Sequence, residues 1–302
     1  APATATFTDV PTGHPFFRFV EAFSRAGITG GCGGGNYCPD APVTRAQMAV
    51  FLLKAEHGSA YTPPTCTGVF PDVSCPGPFA DWVEQLAAGD GAARPAMLAD
   101  RAATCLIDNR DGLPYVSAQW AIEEVIQRAR RNGIGFAGIR NSAHVGVLGI
   151  HLLPVAEAGL VGFAFTNSPA AIPAWGGKKA LFGTNPVAAV FPRRDKQPIV
   201  VDLALTTVVR GRIMMAMRRG ERIPEGWALD REGRPTTDPK EAIEHGSLFP
   251  IGGAKGAMLA LMFELICASL TGAAIGPEAD SFFSEDGNRP RIGQAFMAID
   301  PG

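Results

Sequence analysis

From about Gly89 onward, apolar positions alternate between helical and strand spacing. Recurrence every three or four residues predicts a helix over 117–132, stopped by Gly133. The stretch 135–140 predicts a short strand, and 147–158 a helix ended by Gly159. Residues 161–166 predict a buried strand that runs into Asn167-Ser168. A second buried strand is expected over 198–203, on the run Ile199-Val200-Val201. Helices over 207–219 and 254–270, stopped by Gly220 and Gly272, and a strand over 296–299 complete the series. Helices alternating with strands in this way imply an α/β domain.

The first ninety residues are built differently. Phe7-Thr8-Asp9-Val10 recurs 63 positions later as Phe70-Pro71-Asp72-Val73. The same offset aligns Pro15 with Pro78, Phe16 with Phe79, Phe19 with Trp82, Val20 with Val83 and Glu21 with Glu84. This is one full repeat and part of a second. The Asp that opens each copy is placed to cap the helix that follows. That helix carries an apolar stripe of Phe16, Phe19, Val20 and Phe23 and stops at Gly27-Ile28-Thr29-Gly30. Thr44 with Gln47 predicts a capping box for a second helix through Met48, Phe51 and Leu52. The glycine run 30–35 lacks the order of a dinucleotide fingerprint and reads as a loop. The change of style sets domains at 1–88 and 89–302.

Composition narrows the classes. The chain has 302 residues, 46% of them hydrophobic, and a net charge of -2, so a nucleic-acid-binding surface is not expected. Its short basic cluster, Arg128, Arg130 and Arg131, suits a helix C-terminus. No apolar run reaches the roughly 18 residues of a membrane span. No signal peptide or initiating Met is visible, so the chain reads as a processed product or a fragment. Four of the six cysteines, Cys32, Cys38, Cys66 and Cys75, fall in the first quarter. Their pairing by proximity favours two local disulfides and an oxidising compartment, with a zinc site as the alternative. Cys105 and Cys267 sit in apolar settings and read as buried small hydrophobes.

Candidate chemistry sits at strand ends. Asn141-Ser142-Ala143-His144-Val145-Gly146 follows a strand and opens a helix, where α/β folds bind ligands. His144 exchanges protons near neutral pH, and His151, on the same helical face, is its competitor. His245 lies in a polar loop. Asp202 follows a strand, placed either for a ribose hydroxyl or, the reading favoured by pattern, to cap a helix starting near Thr206. Gly252-Gly253-Ala254-Lys255-Gly256 opens the long helix with amides and a cation suited to a phosphate, without being a Walker motif.

Two resemblances organise these features. FTDVPTGHPFF, GITGGC and VTRAQMAVFLLKA, over roughly 5–87, resemble the S-layer homology module. NSAHVGVLG, GFAFTNS, GGKKALFGTNPVAAVFP, IVVDLALT, GERIPEGWALDREGRPTTDP, LFPIGGAKG and AIDP resemble, in this order, the malate/L-lactate dehydrogenase family over 89–302. The second resemblance implies a non-Rossmann α/β core and a homodimer. It implies NAD or NADP as cofactor, and interconversion of a 2-hydroxy acid with its 2-oxo acid. His144 is then the acid/base. Ser168, Asp202, Leu203, Ala204 and Lys255 match cofactor-contacting positions; Thr184 and Asn185 match the loop that shapes the pocket. Arg140 and Ser142 are the further pocket candidates, with Arg140 for the substrate carboxylate. No metal is implied. The family's N-terminal Ser-His-Gly region has no match here, and no family segment follows Asp300-Pro301. The S-layer resemblance implies a cell-wall polymer as partner of residues 1–88 and a place outside the cytoplasm, whereas the dehydrogenase part implies the cytoplasm. The alternative function is a surface-attached structural protein carrying a catalytically incomplete dehydrogenase domain.

Overall fold

The computed structural model describes residues 4–14, 16–67, 74–77, 79–81, 83, 95–282 and 289–302. The chain divides into two compact units, Ala1–Ala93 and Arg94–Gly302. The expected boundary near 88–89, and most of the second repeat copy, fall outside the described residues.

In the first unit, α1 (Phe17–Arg25) turns a different face inward from the one expected. Phe17 and Val20 are buried with Phe7 and Val10, while Phe16, Phe19 and Phe23 are exposed. Asp9 does not cap this helix. Its carboxylate accepts the amides of Tyr37 and Cys38, both at 2.7 Å, and so closes the glycine loop. The first of these amides, outweighing a burial effect of opposite sign, holds Asp9 below the usual carboxylate range. The expected capping box is formed at the start of α2 (Arg45–His57): Thr44 accepts from the Gln47 amide and Gln47 from the Thr44 amide. Cys32 is bonded to Cys38 and Cys66 to Cys75, so none of the four is left as a zinc ligand.

The second unit is built on a seven-stranded sheet. Its strands are β1 (Ala96–Asp100), β2 (Thr104–Asp108), β3 (Ile134–Ser142), β4 (Val161–Thr166), β7 (Val187–Arg193), β8 (Lys196–Leu203) and β12 (Ile292–Ile299). The order is β1-β2-β3-β12-β4-β7-β8. Only β2 and β3 run parallel, joined through α3 (Pro114–Asn132); the remaining pairs are antiparallel. The last strand, β12, thus lies in the middle of the sheet, where Phe296 is fully buried. One core holds Ile107, Val125, Ile139, Leu148, Leu152 and Leu160. Short strands β5 (Ile172–Pro173) and β6 (Ala180–Phe182) pair with each other; β9 (Ala228–Leu229), β10 (Pro235–Thr236) and β11 (Ser247–Leu248) form a small sheet.

Four expected elements differ. The helix over 147–158 is two short ones, α4 (Leu148–His151) and α5 (Leu153–Glu157), because Pro154 has no amide to continue the ladder. The helix expected from Thr207, α6, starts at Arg210 and ends at Arg219. The helix over 254–270 is α8 (Ala254–Glu264), followed by a π-helical turn, Leu265–Ser269; α7 (Pro239–Glu244) precedes it. Strand β8, expected to be buried, is an exposed edge, with Ile199, Val200, Val201 and Leu203 all open. Cys105 and Cys267 are buried, and burial raises both thiols, Cys105 to about 11.

Candidate active site

Strands of opposite direction bring their ends together at one edge of the sheet. The C-terminal ends of β3, β4 and β8 meet the N-terminal ends of β7 and β12 there. A cavity of about 520 Å³ lies at this edge. His144, Ser168, Thr184 and Ala204 line it, together with Arg210 and Phe282, which sequence reasoning missed.

The turn carrying His144 is held from both sides. Asp108, at the end of β2, accepts from the Asn141 side chain at 3.0 Å, from the Arg110 amide at 2.8 Å and from the Arg140 guanidinium at 3.1 Å. Burial pushes the Asp108 carboxyl up, but these bonds, Asn141 first, prevail and hold it below its ordinary value. Gln294 on β12 donates to the Ala143 carbonyl at 2.9 Å. The Gly146 amide points at Nδ1 of His144 from 3.1 Å, which leaves Nε2 for a ligand. Phe282 meets the ring edge-on at 5.3 Å. The imidazole is reachable from the cavity yet crowded by its walls, and this desolvation lowers its pKa below the ordinary value.

His151 is spent elsewhere. Its Nε2 lies 2.9 Å from the Val145 carbonyl, and its ring stacks with Tyr115 and meets Phe296 edge-on. It does not line the cavity. His245 is exposed beside Glu244.

Several other candidates are used differently from the expectation. Arg140 is paired with Asp108 and does not reach the cavity. Among the described residues that line the cavity, Arg210 is the one Lys or Arg. Its Nη2 donates to the Ile243 carbonyl, and burial lowers its basicity. Asn185 is fully buried, with a positive φ of 39°, and donates to Ala260 and Glu264 instead of lining the pocket. Asp202 does cap a helix, but α4 and not the one after Thr206: it accepts the Gly149 amide at 2.7 Å. Ser168 lines the cavity while its hydroxyl accepts the Thr184 amide at 2.9 Å. Ser142 is buried behind the turn, and its hydroxyl has no hydrogen-bond partner among the described residues. Leu203 is exposed on β8, and Lys255 is exposed on the first turn of α8; neither lines the cavity.

Glu264 was also missed. A single carboxylate in the apolar stretch 256–268 was its signal, since a charge there is buried only when fully partnered.

Comparison with known proteins decides the family. Residues 79–302 match the family described as malate/L-lactate dehydrogenase. The chain belongs to that family. Residues 6–49 match the S-layer homology domain. A (2R)-3-sulfolactate dehydrogenase (NADP(+)) of Chromohalobacter salexigens is 49% identical over 65% of this chain and 58% of its own length. A Delta(1)-pyrroline-2-carboxylate/Delta(1)-piperideine-2-carboxylate reductase of Pseudomonas putida is 38% identical over 73% of this chain and 65% of its own. The solved sulfolactate dehydrogenase of Methanocaldococcus jannaschii superposes with a TM-score of 0.64 at 33% identity, covering 73% of this chain and 63% of that one. The chain thus spans less than two thirds of these malate/L-lactate dehydrogenase relatives. Their likeness to its second unit agrees with the α/β core described above.

Proposed function

We propose that the second unit is an NAD(P)-dependent oxidoreductase that interconverts a 2-hydroxy acid and its 2-oxo acid. The observation that carries this reading is the convergence of His144, Ser168, Thr184 and Arg210 on one cavity. Apolar walls from Val145, Pro186, Phe282 and Ile292 suit a planar ring beside these polar groups. The donor set therefore fits a nicotinamide dinucleotide. Ser168 and Ala204 would hold it inside the cavity, with Asp202, Leu203 and Lys255 outside. The chemistry it supplies when bound is hydride exchange at carbon. His144 takes the hydroxyl proton in oxidation and returns it in reduction. Arg210 supplies the cation for the substrate carboxylate, the part first assigned to Arg140.

Fluorescence titration with NADH and NADPH, followed by turnover assays with pyruvate, oxaloacetate and cyclic imino acids against the reduced dinucleotides and with sulfolactate against the oxidised ones, tests the proposal. Saturable quenching and turnover of at least one acid are expected. A folded chain that binds neither dinucleotide sinks it.

A homodimer is proposed as the assembly, supported by the uncovered apolar residues of β8. The S-layer homology match over residues 6–49 supports a cell-wall polymer as the partner of that segment, within the 1–88 first expected, and a cell-surface place for the chain. No helix among the described residues is long and apolar enough to cross a membrane. A cytoplasmic place for the dehydrogenase unit rests on its cofactor alone.

A further inference from the structure

We infer that Glu264 is the positioning residue that fixes the shape of the cavity beside His144; this rests on the reading that a 2-oxo acid reacts there. Glu264 ends α8, and only 4% of its surface is exposed. Its Oε1 accepts from Asn167 Nδ2 at 3.1 Å and from the Gly276 amide at 2.7 Å. Its Oε2 accepts from the Gly183 amide at 3.1 Å and from Asn185 Nδ2 at 2.8 Å. Four N–H donors occupy the four lone-pair positions that a carboxylate offers.

The four donors come from three separate segments: 166–168 after β4, 183–185 before β7, and 276–282. Each segment supplies cavity wall, through Ser168, Thr184 and Phe282 respectively. One carboxylate thus ties together three walls, alongside the Thr184 amide on the Ser168 hydroxyl and the Ala170 amide on the Gly276 carbonyl.

The glycines support this independently. A Cβ on Gly183 would collide with the carbonyl and hydroxyl of Ser168, and one on Gly276 with the Leu181 carbonyl. Both amides reach Glu264 only because these residues have no side chain. The helix changes from α to π directly after Glu264, a local distortion common at functional positions.

Glutamine has nearly the same volume but one acceptor oxygen and an NH2, so Glu264→Gln sets two of the four donors against a donor. It is tested in the full chain by thermal unfolding, hydrogen exchange and kinetics with the 2-oxo acid that the wild type turns over fastest. The expected variant folds cooperatively. Its Gly183 and Gly276 amides exchange at least about tenfold faster, while amides of β3 and β12 keep their protection. Its kcat/KM falls about 10²-fold, the usual effect of a displacement near 1 Å, with both kcat and KM moved. Dinucleotide affinity changes less, because of the proposed dinucleotide contacts only Ser168 lies on a wall that Glu264 holds. A role confined to core stability would instead raise exchange evenly and lower activity only with the folded fraction.

Wild-type kcat and KM in folded Glu264→Gln overturn the inference, as does a uniform rise in exchange. If the wild type turns over no acid, the functional reading has failed, and selective exchange at Gly183 and Gly276 alone then decides the positioning role. If Glu264→Gln does not fold, Asn185→Ser removes one donor and is expected to move the same readouts less.

Discussion

Desolvation by the cavity walls, Phe282 among them, favours the neutral ring of His144, and the Gly146 amide aimed at Nδ1 suits that same form, since an imidazolium has N–H at both nitrogens. Its pKa therefore lies below about 6.5, the ordinary value for histidine. Because the folded pKa is depressed, the contribution to stability is present above the unfolded value and lost as pH falls through the folded one. The kinetic consequence has opposite signs in the two directions. Oxidation needs the neutral ring, so its kcat/KM is expected to reach a plateau above that pKa. Reduction needs the protonated ring, so its kcat/KM is expected to fall with rising pH from the same point. His144→Ala should lower both by about 10²–10⁴ and leave dinucleotide affinity nearly intact. Profiles of equal sign in the two directions, or near-normal turnover by the folded variant, eliminate His144 as the acid/base. His144 was legible because its turn lies in a long family motif. The pairing of Arg140 with Asp108 was not legible, because Asp108 ends a strand that the apolar pattern did not predict. Arg210 and Phe282 were missed because nothing local marks a residue brought to a cavity by tertiary folding.

Strand β8 shows what periodicity reads well and what it misses. A continuous apolar run was correctly read as a strand, but its burial was inferred from neighbours that a sequence does not show. In the fold β8 is the sheet edge, and Ile199 and Val201, on the face away from α4, are exposed there. Long apolar edges are liabilities that proteins cover or charge. A second copy of the chain is the proposed cover. Sedimentation velocity should show a dimer, and the double change Ile199→Lys, Val201→Lys should shift it to a monomer that remains folded. A wild-type monomer at micromolar concentration, or an unaltered dimer in the variant, contradicts the proposed interface. The helix over 147–158 failed in a different way. Its apolar spacing is intact, but Pro154 breaks the hydrogen-bond ladder, so backbone chemistry overrode side-chain pattern.

At the scale of the whole molecule, each unit has a core of its own, and only the first has disulfides. Among the described residues, Phe7, Val10, Phe17 and Val20 form a small cluster, whereas the second unit has three clusters and two buried free thiols. Small cores depend on cross-links. The pairs Cys32–Cys38 and Cys66–Cys75, 6 and 9 residues apart, each restrict the unfolded chain by about 2–3 kcal/mol in the loop-closure treatment. For a unit with so small a core, losing both is a large fraction of its stability. A thiol reductant should therefore act on one unit and spare the other. In calorimetry it is expected to lower or abolish one transition and leave a second in place. In a co-sedimentation assay with cell-wall fragments it should abolish binding, while NADPH titration of the same reduced sample gives an unchanged Kd. Wall binding that survives full reduction, checked by thiol counting, would show that the polymer site does not depend on the disulfide-bonded fold. Loss of dinucleotide binding together with wall binding would show instead that the second unit does not stand without the first.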